Sequence, residues 1–320
     1  IDVVNIGICP TPVMYFSLFT LENVDGGIQV TGSHNPPEFN GFKICIGKET
    51  IFGPQIQKIR EIIENENFEN GKGKVEEVNI IEDYIEYICK NVNIKKPLKI
   101  ILDPGNGVCG LTAPEIFKRL GCKVECIFCE VDGNFPNHFP DPVVPDNLKV
   151  LRQKVLESNA DVGFGYDGDG DRIGVIDEKG NIIWGDQLLI IFAKDLLKKH
   201  KGAKIIGEVK CSRVLYQTIE KFGGIPIMWK TGHSLIKNKM KEEKAILAGE
   251  MSGHLFFADK WFGFDDGVYT SVRLVEILSQ NEKRLSEYLK DIPKLFSLSL
   301  IHISEPTRPL YISYAVFCLK

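Results

Sequence analysis

Strand-like apolar segments alternate with amphipathic segments of helix length along nearly the whole sequence. This alternation is typical of α/β domains, in which helices cover the faces of a sheet. The chain has 320 residues, which is enough for two or three domains of ordinary size. A turn rich in glycine and lysine at residues 71–74 (GKGK) is a natural place for a boundary. The sequence therefore predicts an α/β protein built from successive domains.

Hydrophobic periodicity predicts the individual elements. Helices are predicted over residues 13–21, 55–66, 80–90, 113–120, 148–157, 187–198, 212–222 and 267–278. Strands are predicted over residues 6–12, 27–30, 42–46, 98–102, 123–129, 160–166, 173–176, 204–209, 225–229 and 245–248, with a hairpin-like segment at 254–257. Asp146 and Ser234 are expected to cap the helices next to them, because short polar side chains accept hydrogen bonds from free N–H groups at a helix start.

The composition is that of a globular protein, with 43% apolar and 26% charged residues. A formal net charge of −4 gives no electrostatic reason to expect nucleic acid or an anionic membrane as a partner. No apolar run approaches the roughly 20 residues that span a bilayer. Nine cysteines without an apparent disulfide framework favour a reducing cytoplasm. Cys126 and Cys129 lie in a predicted strand, so they should face opposite sides and serve neither a metal nor redox chemistry.

Residues 31–37 (TGSHNPP) form a short turn after a predicted strand. The turn would present the hydroxyl of Ser33 on a stiff loop beside backbone N–H groups, which suits a nucleophile or a covalent phosphate carrier. An ordinary hairpin loop explains the same residues. Because neighbouring residues of an extended chain face opposite ways, Ser33 and His34 need not contact each other. The glycine-flanked serine of hydrolases and the lysine-containing loop of nucleotide-binding proteins are both missing here.

The sharpest chemical signal is the run of residues 167–172 (DGDGDR) between two predicted strands. The carboxylates of Asp167, Asp169 and Asp171, spaced by glycines, can fold onto one hard divalent cation. A calcium-binding EF-hand would need glycine in place of Arg172 and helices on both sides, so it fits less well. A solvated acidic turn is the remaining alternative. The spacing favours a site for a small cation such as Mg²⁺, with positions left open for a phosphate.

Three further turns carry polar side chains. Residues 249–254 (GEMSGH) form a glycine-bounded turn whose Glu250 and Ser252 could bind neighbouring hydroxyls of a sugar. Residues 230–234 (KTGHS) lie at a strand-to-helix turn and could bind a phosphate or move a proton. Lys210 follows a strand at the edge where open α/β sheets usually bind ligands. Loops with purely structural roles carry the same residue types.

In their order along the chain, these motifs resemble those of the α-D-phosphohexomutases, in particular the bacterial phosphomannomutase/phosphoglucomutase branch. Two further segments, 132–138 (DGNFPNH) and 261–267 (WFGFDDG), match the same family. The resemblance covers about residues 1–292. It implies three α/β/α domains at 1–78, 79–182 and 183–292, each with a mixed sheet, around a central cleft.

The resemblance also implies a reaction and its participants. The reaction is reversible phosphoryl transfer between C1 and C6 of mannose or glucose phosphates, through a phosphoserine enzyme and a hexose 1,6-bisphosphate intermediate that also serves as activator. The implied cofactor is Mg²⁺, and the implied partner is the hexose phosphate alone. The enzyme would be a cytoplasmic monomer.

The site residues implied by the resemblance fall into three groups. The catalytic group is Ser33, His34, Lys43, Arg172 and His233. The substrate-binding group is Lys210, Lys230, Gly232, His233, Glu250, Ser252 and His254. The metal group is Ser33, Asp167, Asp169 and Asp171. Ser33 would carry the phosphate, Arg172 would add positive charge, and Lys43 and His233 are the candidates for proton transfer.

Two departures from the family pattern leave alternatives open. The family begins with an additional strand and an arginine-bearing loop, and it ends with a fourth domain that binds the substrate phosphate. Residues 293–320 differ from that domain, and we expect 298–320 to be an extraneous tail. The chain could therefore be a mutase, a truncated fragment that binds sugar phosphate without turnover, or a hydrolase that acts through phosphoserine. Phosphoglucosamine specificity is a further alternative, although Met251 is typical of the mannose/glucose branch.

Overall fold

The computed structural model describes residues 1–293, and the predictions for the tail lie outside these residues. Three groups of strands and helices follow one another along them. The first group consists of β1 (Val3–Asn5), α1 (Thr11–Thr20), β2 (Gly26–Thr31), β3 (Gly41–Ile46), β4 (Glu49–Thr50), α2 (Pro54–Glu64) and β5 (Val75–Glu77). Strands β2, β3 and β4 form an antiparallel sheet, whereas β1 pairs in parallel with β5.

The predicted strand over residues 6–12 is wrong. Strand β1 ends at Asn5, and helix α1 begins at Thr11. Pro12 lies in the first turn of α1, where its missing N–H leaves no hydrogen bond unmade. The two prolines at positions 10 and 12 therefore introduce a helix, where the apolar pattern had indicated an extended chain.

The second group forms a five-stranded mixed sheet in the order β10-β9-β8-β6-β7. Its elements are α3 (Ile81–Asn91), β6 (Lys99–Asp103), α4 (Ala113–Arg119), β7 (Lys123–Cys126), α5 (Lys149–Glu157), β8 (Val162–Tyr166), β9 (Ile173–Asp177) and β10 (Ile182–Ile183). Strands β6, β7 and β8 are parallel, and β9 and β10 are antiparallel to their neighbours. Asp146 does not cap α5, because it lies inside a 3₁₀ turn over Pro145–Leu148.

The predicted strand through Cys129 is also wrong. Strand β7 ends at Cys126, and Phe128 has a positive φ of 53°. This turn brings the sulfur atoms of Cys126 and Cys129 together, where a continuous strand would separate them.

The third group forms a four-stranded mixed sheet in the order β12-β11-β13-β14. Its elements are α6 (Gly185–Lys199), β11 (Lys204–Glu208), α7 (Arg213–Lys221), β12 (Ile225–Trp229), α8 (His233–Glu243), β13 (Leu247–Gly249), β14 (Leu255–Phe257) and α9 (Gly267–Ser279). Only β14 is antiparallel to its neighbour. Ser234 does not cap α8, since that helix begins one residue earlier and Gly232 occupies the N-cap position with a φ of 130°.

One aromatic cluster joins the three groups. The ring of Phe16 in α1 lies 5.6 Å from Tyr84 in α3, and Tyr84 lies 6.0 Å from Trp261. Trp261 stacks on Tyr269 of α9 at 4.3 Å. All thirteen residues of α9 are buried. Burial of this much apolar surface fixes the relative positions of the loops that carry the candidate site. The predicted domain boundaries themselves remain predictions.

Candidate active site

Loops at the carboxyl ends of four strands meet in one cleft. Ser33 follows β2, the Asp loop (residues 167–172) follows β8, and residues 230–234 and 249–254 follow β12 and β13. The hydroxyl of Ser33 donates a hydrogen bond of 3.0 Å to Oδ2 of Asp167. Arg172 forms an isolated β-bridge with His254, which ties the Asp loop to the loop at 249–254. The fold therefore brings together three motifs that lie far apart in the sequence.

The Ser33 loop packs directly on the backbone of the Asp loop. Ser33 has a positive φ of 51°, and its N–H donates to the hydroxyl of Thr31 at 2.7 Å. A Cβ atom added to Gly168 would lie 2.1 Å from the carbonyl oxygen of Ser33. Only glycine permits this approach, because real Cβ atoms essentially never come within 3.0 Å of another heavy atom.

The carboxylates of the Asp loop converge. One oxygen from each of Asp167, Asp169 and Asp171 lies within 4.8 Å of the other two. Oδ1 of Asp167 accepts backbone hydrogen bonds of 3.0 Å from Gly170 and Arg172, which fold the loop inward. Three carboxylates in so small a space repel one another, so cations must compensate them.

Lys43 supplies part of that compensation from strand β3. Its Nζ lies 2.5 Å from Oδ2 of Asp169 and 2.5 Å from Oδ2 of Asp171. Burial opposes ionisation of Asp169, but the Lys43 ammonium and a hydrogen bond from Thr11 (2.6 Å) outweigh it and lower the pKa of this carboxyl. Burial and the neighbouring Asp171 raise the pKa of Asp167 to about 7. Burial would lower the pKa of Lys43, but Asp171 and Asp169 raise it well above its usual range, so the amine stays protonated.

The donor set fits a hard divalent cation. Oδ1 of Asp169 and Oδ1 of Asp171 are buried and accept no hydrogen bond among the described residues. Oxygen ligands of this type suit Mg²⁺. The ammonium of Lys43 already occupies a cationic position between two of the carboxylates. Asp167, Asp169 and Asp171 would hold the metal, and the hydroxyl of Ser33 is within reach of the same cluster.

Arg172 and His34 line the cleft beside Ser33. Nε of Arg172 donates to Oδ2 of Asp167 at 2.9 Å, and its Nη1 donates to Asp141 at 3.4 Å. Arg172 also contacts Nδ1 of His34, which in turn lies 3.2 Å from the hydroxyl of Ser33. Ser33 and His34 thus do contact each other, because the left-handed turn at Ser33 removes the strand alternation. Burial and the charge of Arg172 lower the pKa of His34.

The loop at 249–254 is held by a buried carboxylate. Oε1 of Glu250 accepts the N–H of Gly232 at 2.5 Å, and Oε2 accepts the hydroxyl of Ser252 at 3.4 Å. Nε2 of His254 lies 4.0 Å from Oε2 of Glu250. These polar groups present acceptors and donors that suit the hydroxyls of a sugar. Gly232, Glu250, Ser252 and His254 therefore lie together.

Two imidazoles share one carboxylate in this part of the cleft. Nδ1 of His254 lies 3.0 Å from Oδ2 of Asp265, and Nδ1 of His233 lies 3.5 Å from the same oxygen. Lys237 donates to the other oxygen, Oδ1, at 3.0 Å. Burial lowers the pKa of His233 to about 4. Burial would also lower the pKa of His254, but Asp171 and Asp265 raise it to about 9.

Two of the predicted substrate-binding lysines lie away from these contacts. Lys210 is exposed, and its Nζ lies 3.4 Å from Oε1 of Glu208. Lys230 is exposed, and within residues 1–293 it forms no ion pair. Their roles remain predictions, since nothing in the geometry engages them with the other site residues.

Sequence reasoning missed several buried polar residues. Thr11 binds Asp169, and Glu208 accepts the N–H of Met251 at 2.7 Å and the hydroxyl of Thr231. Asp265 was part of the matching segment 261–267 but was given no role. The available signal for Asp265 was a carboxylate two residues before a buried helix, inside a segment that already matched the family. Thr11 and Glu208 carried none, because their importance comes from contacts distant in sequence.

Comparison with known proteins identifies the family. The family models of phosphoglucomutase/phosphomannomutase α/β/α domains I, II and III match residues 1–70, 82–180 and 184–296, respectively. The chain belongs to the phosphoglucomutase/phosphomannomutase family. The predicted family and the α/β fold class of three α/β/α domains are thereby confirmed.

Individual relatives agree with this assignment. A phosphomannomutase/phosphoglucomutase from Pseudomonas aeruginosa is 51% identical over 303 residues, covering 95% of this chain and 65% of the relative. A phosphoglucomutase from Neisseria gonorrhoeae is 46% identical over 96% of this chain and 66% of its own length. A solved family structure from Burkholderia thailandensis has a TM-score of 0.91 and 46% identity, covering 94% of this chain and 67% of that one. The chain thus spans about two thirds of the length of its relatives.

The length and polarity of the described helices also bear on whether one could span a membrane. Among residues 1–293, none is long and apolar enough to cross a bilayer.

Proposed function

We propose that the protein is a phosphomannomutase/phosphoglucomutase that moves a phosphoryl group between C1 and C6 of a hexose phosphate. The observation that carries this proposal is the 3.0 Å hydrogen bond between the Ser33 hydroxyl and the Asp loop. A serine at this position can carry a phosphoryl group beside a site for a divalent cation. The relatives named phosphomannomutase/phosphoglucomutase and phosphoglucomutase support the same reaction.

Ser33 would enter the cycle as phosphoserine. A sugar hydroxyl attacks its phosphorus, a new P–O bond forms, and the bond between phosphorus and Oγ of Ser33 breaks. The product is a hexose 1,6-bisphosphate, which turns over in the cleft and returns its other phosphoryl group to Ser33. In the first step the sugar hydroxyl gives its proton to a base and Oγ of Ser33 takes up a proton. In the second step Oγ loses its proton, and the sugar oxygen released from phosphorus takes one up.

The charges of the surrounding side chains suit them to different parts of the reaction, either proton transfer or compensation of negative charge. His233 is neutral at neutral pH, because burial lowers its pKa to about 4, so it can accept a proton. Lys43 remains protonated and is better suited to compensating charge or donating a proton than to acting as a base. Arg172 adds a second fixed positive charge beside the serine. Mg²⁺ bound by Asp167, Asp169 and Asp171 would neutralise charge on the phosphoryl oxygens.

Recognition of the sugar is assigned to the loop at 249–254. Glu250 and Ser252 would bind hydroxyls, and His254 would contribute its Nε2 from the same side. Lys210, Lys230 and Gly232 complete the proposed substrate set. Preference for mannose or glucose, a monomeric state and a cytoplasmic location stay predictions.

A mass-spectrometric experiment tests the carrier role. The full chain is incubated with glucose 1,6-bisphosphate and Mg²⁺, digested and mapped. One phosphate on Ser33 is expected, with none on the Ser33→Ala variant and an unchanged result for Ser158→Ala. Phosphate on a different residue, or none, would refute the assignment.

A coupled assay distinguishes the alternative reactions. The chain is given mannose 1-phosphate or glucose 1-phosphate with a catalytic amount of the corresponding bisphosphate. A mutase produces the 6-phosphate without releasing inorganic phosphate, whereas a hydrolase releases inorganic phosphate. A fragment that only binds would show saturable sugar-phosphate binding by calorimetry without either product. Glucosamine 1-phosphate as substrate tests the remaining specificity.

A further inference from the structure

We infer that Asp265 is a positioning residue that orients the imidazoles of His254 and His233 for the sugar phosphate. This inference rests on the proposed function, but its central test does not need turnover. Asp265 precedes α9 in sequence, and its backbone pairs with Phe256 of strand β14 through an isolated β-bridge. Its side chain is fully buried. The carboxylate is therefore held in place by the fold of the third domain.

The contacts of Asp265 are directed at the two histidines. Its Oδ2 lies 3.0 Å from Nδ1 of His254 and 3.5 Å from Nδ1 of His233. These three atoms are buried, and none of them has a hydrogen-bond partner of conventional geometry among residues 1–293, so their contacts with one another are ion-pair contacts. The rings of His233 and His254 stack with centroids 5.5 Å apart. One carboxylate oxygen thus faces the same nitrogen of both rings.

This arrangement fixes which atom each ring presents to the cleft. With Nδ1 of His254 in contact with Asp265, its Nε2 lies on the side of Glu250, 4.0 Å from Oε2. A carboxylate placed against one imidazole nitrogen in this way determines the orientation of the ring. Asp171 also approaches Nδ1 of His254, at 3.7 Å, but its other oxygen is bound by Lys43.

Lys237 holds the carboxylate of Asp265 from the side opposite the histidines. Lys237 of α8 donates to Oδ1 at 3.0 Å, and its Nζ also lies 3.9 Å from the centroid of the Tyr15 ring. A buried carboxylate paired with a lysine needs no further cation for stability. Oδ2 of Asp265 is therefore free to contact the imidazoles. A purely structural role would be complete with Lys237 alone.

The neighbouring Asp266 provides a matched control. It is equally buried, but it caps α9 by accepting the N–H of Tyr269 at 2.8 Å and binds the hydroxyl of Tyr84 at 3.0 Å. No ion pair joins it to either histidine among the described residues. Asp265→Asn and Asp266→Asn therefore make the same substitution at adjacent buried positions, but only the first should affect the imidazoles.

Nitrogen-15 NMR of labelled histidine is the central test. The chain has six histidines, so the long-range proton–nitrogen spectrum can be assigned with His254→Gln and His233→Gln. In the unmodified chain, Nδ1 of His254 is expected to carry a slowly exchanging proton. That signal should disappear or shift strongly in Asp265→Asn and persist in Asp266→Asn. An unprotonated Nδ1 in the unmodified chain would overturn the inference even if both variants failed to fold.

Binding and kinetics test the consequence. Orienting partners of this kind are typically worth about 10–100-fold in activity or affinity. Asp265→Asn should lower kcat/KM or glucose 1-phosphate affinity by about that factor, while Asp266→Asn lowers Tm without changing affinity. Equal affinity and an equal histidine spectrum in Asp265→Asn would contradict the inference. If no mutase activity is found in the unmodified chain but the His254 signal behaves as expected, the proposed function fails and the positioning role stands.

Discussion

The Asp loop and the histidine cluster (His233, Lys237, His254 and Asp265) are two buried groups of charge that are compensated in different ways. The Asp loop obtains one of its cations, Lys43, from the first domain. The carboxylate of the histidine cluster obtains its lysine, Lys237, from a helix of its own domain. The Asp loop should therefore exchange its cation for a metal, whereas the histidine cluster should keep its charges as part of the fold.

The largest effect is expected from removing a direct ligand in the Asp loop. Asp169→Asn should lower Mg²⁺ affinity by at least about 100-fold, because even outer partners of a metal site are typically worth about 10–100-fold. Isothermal titration calorimetry measures the change. Asp177→Asn is a suitable control, since Asp177 is also buried but holds a turn through Lys179 and Asn181. Equal Mg²⁺ affinity in Asp169→Asn and the unmodified chain would show that the Asp loop is not the metal site.

Removing Lys43 tests whether the cation can be exchanged. Lys43→Met leaves Asp169 and Asp171 without their ammonium, and breaking a buried pair from one side costs about 3–5 kcal/mol. The free energy of unfolding in urea should fall by that order without Mg²⁺ and recover when Mg²⁺ is added.

Lys241→Met provides the control for this prediction. Its ion pair with Glu49 is exposed, so its loss should change stability by no more than about 1 kcal/mol and independently of Mg²⁺. If Mg²⁺ failed to restore the stability of Lys43→Met, the two cations would not share one position.

A smaller effect is expected at Glu250 in the loop at 249–254. Glu250→Ala removes the acceptor of the Gly232 N–H and of the Ser252 hydroxyl. Glucose 1-phosphate binding should weaken by about 1–3 kcal/mol, the usual cost of leaving a buried polar group without its partner. Calorimetry with sugar phosphate and with Mg²⁺ separates the roles. An unchanged dissociation constant for the sugar phosphate would contradict the role of Glu250 in sugar binding.

A further effect concerns the pH dependence of stability beside the histidine cluster. Burial raises the pKa of Asp266 from its ordinary value of 3.8 to about 7. Between those values the folded chain binds more protons at this position than the unfolded chain does. The contribution of Asp266 to stability is therefore present below about pH 4 and is lost as the pH rises to about 7.

Asp266→Asn removes this titration. The free energy of unfolding of the unmodified chain, relative to the variant, should fall between about pH 4 and pH 7 and then level off. Urea unfolding at several pH values measures the difference. A constant difference across this range would show that the carboxyl titrates alike in both states.

Local patterns predicted most helices and strands, because periodicity is a property of neighbouring residues. The wrong strand at residues 6–12 and the missed turn at Phe128 have the same cause. Proline at the start of a helix and a single left-handed residue outweigh the apolar pattern around them. Both features are decided by one residue, so a window of apolar residues does not report them.

The residues of the candidate site also fall into two classes, those that lie together in sequence and those that only the fold brings together. The Asp loop, Ser33 and the loop at 249–254 were found because their residues lie together in sequence. The contacts of Thr11, Lys237 and Asp265 join residues from different elements, and only the fold shows them. The contact between Ser33 and His34 also depends on a single residue, because the left-handed turn at Ser33 removes the strand alternation.

The close packing of Ser33 on Gly168 has a consequence for the order of motions in a catalytic cycle. A serine whose carbonyl rests on the neighbouring loop cannot swing across the cleft to meet first one end of a sugar and then the other. The phosphoryl donor stays in place, so the sugar has to reorient in the cleft. Glycine at position 168 permits the close packing that holds Ser33 in place. For the proposed reaction, the hexose bisphosphate therefore has to rotate between the two half-reactions.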